Sequence, residues 1–279
     1  MRTVRERLKT IVRQIENSPF TIPAYYVLNG YHTICCHCFS AVRVAPEDCI
    51  NVERNVTFIF KSFNRQRLAR QAYRSIRNYY PNVRVVVADD SEVPLQLEGA
   101  EVVHLPFNSG VSKGIIAALE KVQTPFVMRL DDDAVLTPYS RVHEQLAFLQ
   151  RHPEVDLCGI QASVLTERSA ARYAASDMGK PLIIPAGTII DGREVVAKTS
   201  NWFLAKAEAV RKVGYDPNIR MLDHYEFFYR AAGQIVCVQD PNAFAYHCHN
   251  RFDWKYRPYR KDWKGDARYI WAKQHASRE

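Results

Sequence analysis

Three near-continuous apolar runs constrain the fold of this chain more than any other feature: "NVTFIFKSF" from Asn55, "VRVVVADDS" from Val83 and "PFVMRL" from Pro125. Each is short and rich in β-branched or aromatic residues, which favours a strand over a helix. None alternates apolar with polar residues, so each suits a strand covered on both faces, as in a parallel sheet. Between them lie helix patterns over Arg65 to Tyr79 and in "VSKGIIAALEKV" from Val111, with a short strand candidate "EVVHLPF" and a turn at Asn108 to Gly110. This alternation predicts an α/β domain with a mostly parallel central sheet and helices on both faces. Ligands of such sheets bind beyond the carboxyl ends of the strands.

Two of the runs break into acid at that end, at Asp89 and Asp90 and at Asp131, Asp132 and Asp133. Adjacent carboxylates repel one another. Taken alone, such a cluster is either a solvated turn or a site for a hard cation such as Mg²⁺ or Mn²⁺, which pairs one or two carboxylates with substrate phosphates. Further on, "SRVHEQLAFLQRHPEV" reads as a helix and "VDLCGIQASVLTE" as a strand. The Gly- and Pro-rich stretch from Ala174 to Lys198 reads as hairpins and loops. "TSNWFLAKAEAVRKVGYD" reads as strand then helix, "LDHYEFFYRAAG" as a short helix ended by Gly233, and "QIVCVQD" as a strand.

Four ordered segments, "VTFIFKSFNRQRLARQAYRSIRNYYPNVRVVVADDS", "FVMRLDDDAVLT", "NWFLAKAEAVRKVGYDPNIRMLDHYEFFYRAAG" and "FAYH", resemble the β-1,4-N-acetylgalactosaminyltransferases of the ganglioside-synthase type and their bacterial relatives. The resemblance spans about Val56 to His247. It implies a GT-A fold, with a Rossmann-like nucleotide-binding half and an acceptor-binding half, and an inverting, metal-dependent transfer from a nucleotide-sugar, a uridine one by preference. It further implies that Asp89 and Asp90 touch the base and ribose. Asp131 would bind ribose or metal-bound water, beside Asp132, and Asp133 would ligate the metal. His247 would be a third ligand, with His249 as its nearest competitor. An imidazole ligand favours Mn²⁺ over Mg²⁺. Asp132, the middle acid, is expected to tolerate substitution best. One departure stands out: where related enzymes carry an Arg-Asn pair near the donor, this chain has Ile115 and Ile116, which leaves Lys113 as the candidate for that positive charge.

Inverting transfer needs a base on the acceptor hydroxyl. The resemblance points to "LDHYEFFYR", where Asp223, His224 and Glu226 are all candidates, and the register from Arg230 puts His224 where the usual aspartate stands. On a helix Asp223 and Glu226 share a face, whereas His224 and Glu226 lie about 200° apart, so one of these two faces away. Asn201 and Trp202 are candidates for holding the acceptor sugar, by hydrogen bonds and by stacking together with Phe203; core packing is the alternative for both rings.

The flanks divide the chain into residues 1–54, the transferase domain 55–250, and a basic aromatic segment 251–279. Val4, Leu8, Ile11, Val12 and Ile15 repeat at helical spacing among arginines and lysines, which suits a helix docked on the domain or lying on an anionic membrane. The net charge of +8 favours anionic partners. Cys35, Cys36, Cys38 and Cys49, with His32 and His37, offer either a zinc site or reduced thiols packed as small apolar groups. Without a signal-like or membrane-spanning run, the expected place is the cytoplasm, with peripheral membrane contact through the basic aromatic ends. Glycan or glycolipid acceptors and surface-polysaccharide synthesis fit that placement. Competing readings are a catalytically silent glycan-binding module and a sugar-phosphate nucleotidylyltransferase; the latter needs a glycine-rich phosphate loop that "FKSFNRQR" lacks. Nucleic-acid binding has only the net charge behind it.

Overall fold

The computed structural model describes residues 4–39, 44–164, 167–168, 178–260 and 263–276. Three helices, α1 (Val4–Glu16), α2 (Thr21–Phe39) and α3 (Pro46–Asn55), precede the sheet. The alternating region follows as β1 (Val56–Ser62), α4 (Gln66–Tyr79), β2 (Arg84–Asp89), β3 (Glu101–His104), α5 (Val111–Glu120) and β4 (Phe126–Arg129). Then come β5 (Ala134–Val135), α6 (Val142–Arg151), β6 (Leu157–Val164), β7 (Glu167–Arg168), the hairpin β8 (Ile189–Ile190) and β9 (Arg193–Val195), β10 (Phe203–Lys206), α7 (Ala207–Val213), α8 (Asp223–Ala231), β11 (Cys237–His247) and α9 (Trp263–Ala276).

The sheet runs β3-β2-β1-β4-β10-β6-β11-β9-β8, with β5 paired to β11 and β7 to β6. Strands β3, β2, β1 and β4 are mutually parallel. Strand β10 enters antiparallel to both β4 and β6, and β11 runs parallel to β6. Six strands thus point one way with β10 reversed among them and the short β5, β7 and β9 reversed beside β6 and β11, the mixed but mostly parallel sheet expected.

The apolar runs bury both faces. Phe58, Phe60, Val85, Val87 and Met128 face α4 and α6, meeting Ile76, Tyr79, Leu146 and Phe148. Ile59, Val86, Ala88 and Val127 face the other side, meeting Ile115 and Ala118 of α5, Val210 of α7, and Phe227 and Phe228 of α8. This two-sided burial is why the runs lack polar alternation. Where β6 passes the segment before β10, only glycine fits: a Cβ on Gly159 would collide with the side chain of Thr199.

The flanking segments pack on this core. From α2, His32 Nδ1 lies 2.8 Å from the Tyr246 hydroxyl, and the Asn250 side-chain amide donates to Asn29 at 3.0 Å. The cysteine-rich stretch is part of that helix. Cys36 Sγ lies 3.6 Å from Cys248 Sγ, while Cys49 sits on α3 and donates to the Tyr79 carbonyl. Cys49 thus lies on a different helix from the other three thiols, and the only metal-capable group among the described residues lies elsewhere. The zinc reading gains no support.

Candidate active site

A cavity of roughly 660 Å³ opens where β1, β4 and β11 end and α8 begins. Lys61, Arg65, Asp131, Asp132, Asp133, Asn201, Asp223, His224, His247 and His249 line it, and Arg251, Arg257 and Arg260 close one side.

Pairing of β5 with β11 sets His247 opposite Ala134, next to Asp133. The Cys248 N–H donates to the Asp133 carbonyl at 2.8 Å. Ligand atoms of Asp133, His247 and His249 lie within 4.8 Å of one another, so one oxygen and two imidazole nitrogens converge as a divalent ion requires. The two histidines join the set together rather than competing for it. Helix α2 braces this corner through His32, whose Nε2 lies 3.3 Å from the His249 carbonyl. Burial opposes ionisation of Asp133, but Arg65 and His247 outweigh it and hold the carboxyl well below its ordinary range. Burial also opposes charge on His247, and Asp133 overcomes it, raising that imidazole. His249 is lowered to about 4 by burial and by His247.

Arg65, at the start of α4, is the residue that the sequence did not single out. Its guanidinium grips both oxygens of Asp132 and donates to Asp133 Oδ2 at 2.9 Å, with its flat face 4.1 Å from the Tyr256 ring centre. Asp132 is buried, and burial with the flanking carboxylates raises it to about 7 against the pull of Arg65. The tolerant middle acid of the sequence reading is therefore an anchor. Removing one partner of a buried ion pair costs about 3 kcal/mol or more. Asp132→Asn should accordingly lower the denaturant midpoint clearly more than Asp131→Asn, whose side chain is 37% exposed.

Asp131 is steered from the side. The Trp202 indole N–H donates to it at 3.0 Å, and Arg129 Nη1 stands 3.6 Å away. Trp202 is buried with its ring edge-on to His247, 5.2 Å between centroids, so it offers no open face for a sugar. Phe203 stacks on Phe227 inside the core. Asn201 does line the cavity, and its carbonyl accepts from Arg129.

The three base candidates separate sharply. Asp223 lines the cavity and accepts from Arg129 Nη2 at 2.7 Å; burial raises it to about 6, with Arg129 limiting the rise. His224 also lines the cavity, half-buried against Phe228 with Nε2 2.6 Å from the Thr199 carbonyl, and burial lowers it to about 3. Glu226 turns from the cavity to Arg230, one helical turn on, which it meets at 2.6 and 2.8 Å. Backbone N–H groups of Arg220, Met221 and Leu222, just before α8, all donate to Asp266 of α9. Asp266→Ala leaves three donors unmet at the turn that aims Asp223; a loss of about 1–3 kcal/mol in unfolding free energy is expected.

The donor acids read from the sequence are occupied internally. Asp89 accepts from Ser91 Oγ at 2.6 Å and from the Leu95 N–H at 2.7 Å. Asp90 pairs with Lys61 at 2.6 Å and accepts from the Gly110 N–H. Lys113 lies on the exposed side of α5, because Ser112, Gly114 and Ile115 take the inner side. The lysine at the cavity wall is Lys61, against which Gly114 packs.

Comparisons with known proteins agree with this architecture. The profile of glycosyl transferase family 2 matches residues 57–214. The human β-1,4 N-acetylgalactosaminyltransferase 1 is 34% identical over 199 residues, covering 66% of this chain and 37% of its own length. The mouse β-1,4 N-acetylgalactosaminyltransferase 2 is 31% identical, covering 69% and 39%. The chain thus spans little more than a third of these relatives. Among solved structures, S. aureus TarS 1-349 in complex with UDP-GlcNAc superposes with a TM-score of 0.52 at 15% identity, over 69% of this chain and 58% of that one. Mannosyltransferase PcManGT from Pyrobaculum calidifontis, in complex with GDP-Man and Mn²⁺, gives 0.55 at 14%, over 86% and 70%.

Proposed function

The chain belongs to glycosyl transferase family 2, and from that premise we propose that it moves a sugar from a uridine diphosphate donor to a hydroxyl of a glycan or glycolipid, with inversion. One observation carries this reading: a single cavity holds both a set of groups suited to a divalent ion and, on α8, a separate buried carboxylate raised to about 6. N-acetylgalactosamine is the proposed donor sugar, since the curated relatives are named for it.

Asp133, His247 and His249 would hold the ion, and their mixed oxygen and nitrogen donors suit Mn²⁺. When bound, that ion neutralises charge growing on the departing diphosphate. Lys61, Arg257 and Arg260 add positive charge along the same cavity. Asp223 accepts the proton of the acceptor hydroxyl, held in place by Arg129. Arg129 also touches Asp131 and the Asn201 carbonyl, so one buried guanidinium links the proposed base to the donor side.

A panel of uridine and guanosine diphosphate sugars, with and without Mn²⁺, tests the reading. The expected result is a higher Tm with uridine diphosphate and Mn²⁺ together than with either alone, and slow Mn²⁺-dependent hydrolysis of the uridine diphosphate sugar. Stabilisation without turnover toward any acceptor would favour a silent binding module. No response to any nucleotide would reject a donor site.

A further inference from the structure

Helix α2 is 19 residues long and contains no Asp, Glu, Lys or Arg. One side sits on the domain through Asn29, His32, Cys36 and Phe39. The other carries Ile22, Tyr26, Val27, Tyr31 and Ile34, preceded by Phe20, and all are exposed; Val27 reaches 74% and Phe20 70%. At 3.6 residues per turn these side chains fall within one half of the circumference. A helix on the surface of a soluble domain normally shows water its charged side. Here the outward half is mostly apolar, with Thr33 and His37 exposed within it, and Leu8 and Ile11 of α1 are exposed too. No helix among the described residues is long and apolar enough to cross a membrane.

Cations border this face. Arg67 and Lys255 line a groove of roughly 370 Å³ with Tyr25, Tyr26 and Trp254. Arg67 and Arg74 line a second cavity, of roughly 520 Å³, beside Thr33, Cys36 and His37 of the helix. Among the described residues Arg67 donates only to the neutral side chains of Asn29 and Gln71, and the Lys255 ammonium lies 5.8 Å from the Trp254 ring centre. Among the described residues no carboxylate pairs with Arg67, Arg74 or Lys255.

An apolar face edged by unneutralised cations and by Tyr and Trp matches an apolar layer beneath a layer of phosphates. We propose that the outward face of α2, with Arg67, Arg74 and Lys255 at its border, docks on the surface of an anionic lipid bilayer. At the end of α1, Glu16 pairs with Arg251 at 2.6 Å, and both line the candidate catalytic cavity. That a docked chain would meet lipid-linked acceptors rests on the transferase reading; the docking itself does not.

Flotation of the full chain with vesicles tests it, using phosphatidylcholine alone and phosphatidylcholine with phosphatidylglycerol in equal parts. The chain should float with the anionic vesicles, and less as salt rises. Val27→Asp and Ile34→Asp should each weaken partitioning at least about tenfold. Arg74→Gln combined with Lys255→Gln should weaken it and flatten the salt dependence. These side chains are exposed, and circular dichroism checks that the variants stay folded. Recovery wholly in the soluble fraction with both vesicle types, binding undiminished by the aspartate variants, or binding unchanged in the double variant would each overturn the proposal. So would self-association that Val27→Asp abolishes in a chain that ignores vesicles, since a second copy would then own the face.

Discussion

Asp133→Asn should remove nearly all transfer, lowering kcat/KM by roughly a thousandfold, while the fold survives. The asparagine keeps the shape of the side chain but loses the charge on which His247, His249 and Arg65 converge. Asp133 is, like Asp132, a buried partner of Arg65, so some stability is lost as well; Asp132 still holds Arg65, and circular dichroism checks that the variant stays folded. The size follows from losing the one anionic group that would hold the ion opposite the departing diphosphate, where one preorganised contact is worth about 10²–10³ in rate and a metal several kcal/mol. Calorimetry with uridine diphosphate gives the check: Mn²⁺ should tighten binding to the wild-type chain and have no effect on the variant. Activity within tenfold of wild type would remove Asp133 from the site.

Asp223→Asn should lower kcat by about 10²–10⁴, the usual worth of a positioned base, with donor affinity little changed. The pH profile separates this residue from its neighbours. A base works only when ionised, and Asp223 is raised to about 6, so kcat/KM should fall as pH drops through about 6 and level off above it. Asp132→Asn should keep that limb, although Asp132 itself is raised to about 7, because its carboxylate serves Arg65. His224→Ala should keep most activity, since its imidazole is held to the Thr199 carbonyl and lowered to about 3. A limb that persists in residual Asp223→Asn turnover, or a collapse in His224→Ala, would move the base to the histidine.

The fold was readable because burial on both faces leaves an unmistakable mark: runs such as Val85 to Ala88 tolerate no polar alternation. The acid clusters were readable because charge ends those runs abruptly. Function within each cluster was not. Whether a given aspartate meets solvent, a cation or an arginine depends on partners far along the chain, as Arg65 is from Asp132, and no local spacing encodes that. Glu226 is the instructive exception, since its partner Arg230 lies one helical turn away and the pairing follows from ordinary helix geometry. Helix α2 escaped notice because cysteines, histidines and β-branched residues with Gly30 carry weak helix preference, and its register comes from contacts with Tyr246 and Asn250.

Trp202 touches both sides of the acid cluster, donating to Asp131 and standing edge-on to His247. It is also the dry one among four tryptophans, 2% exposed, against 49% for Trp263 and 63% for Trp271. Its emission should therefore lie to the blue of theirs and respond first when a paramagnetic ion arrives at the neighbouring histidine. An ion held by Asp133, His247 and His249 would thus be reported by the protein's own tryptophan, with neither acceptor nor turnover needed to read it.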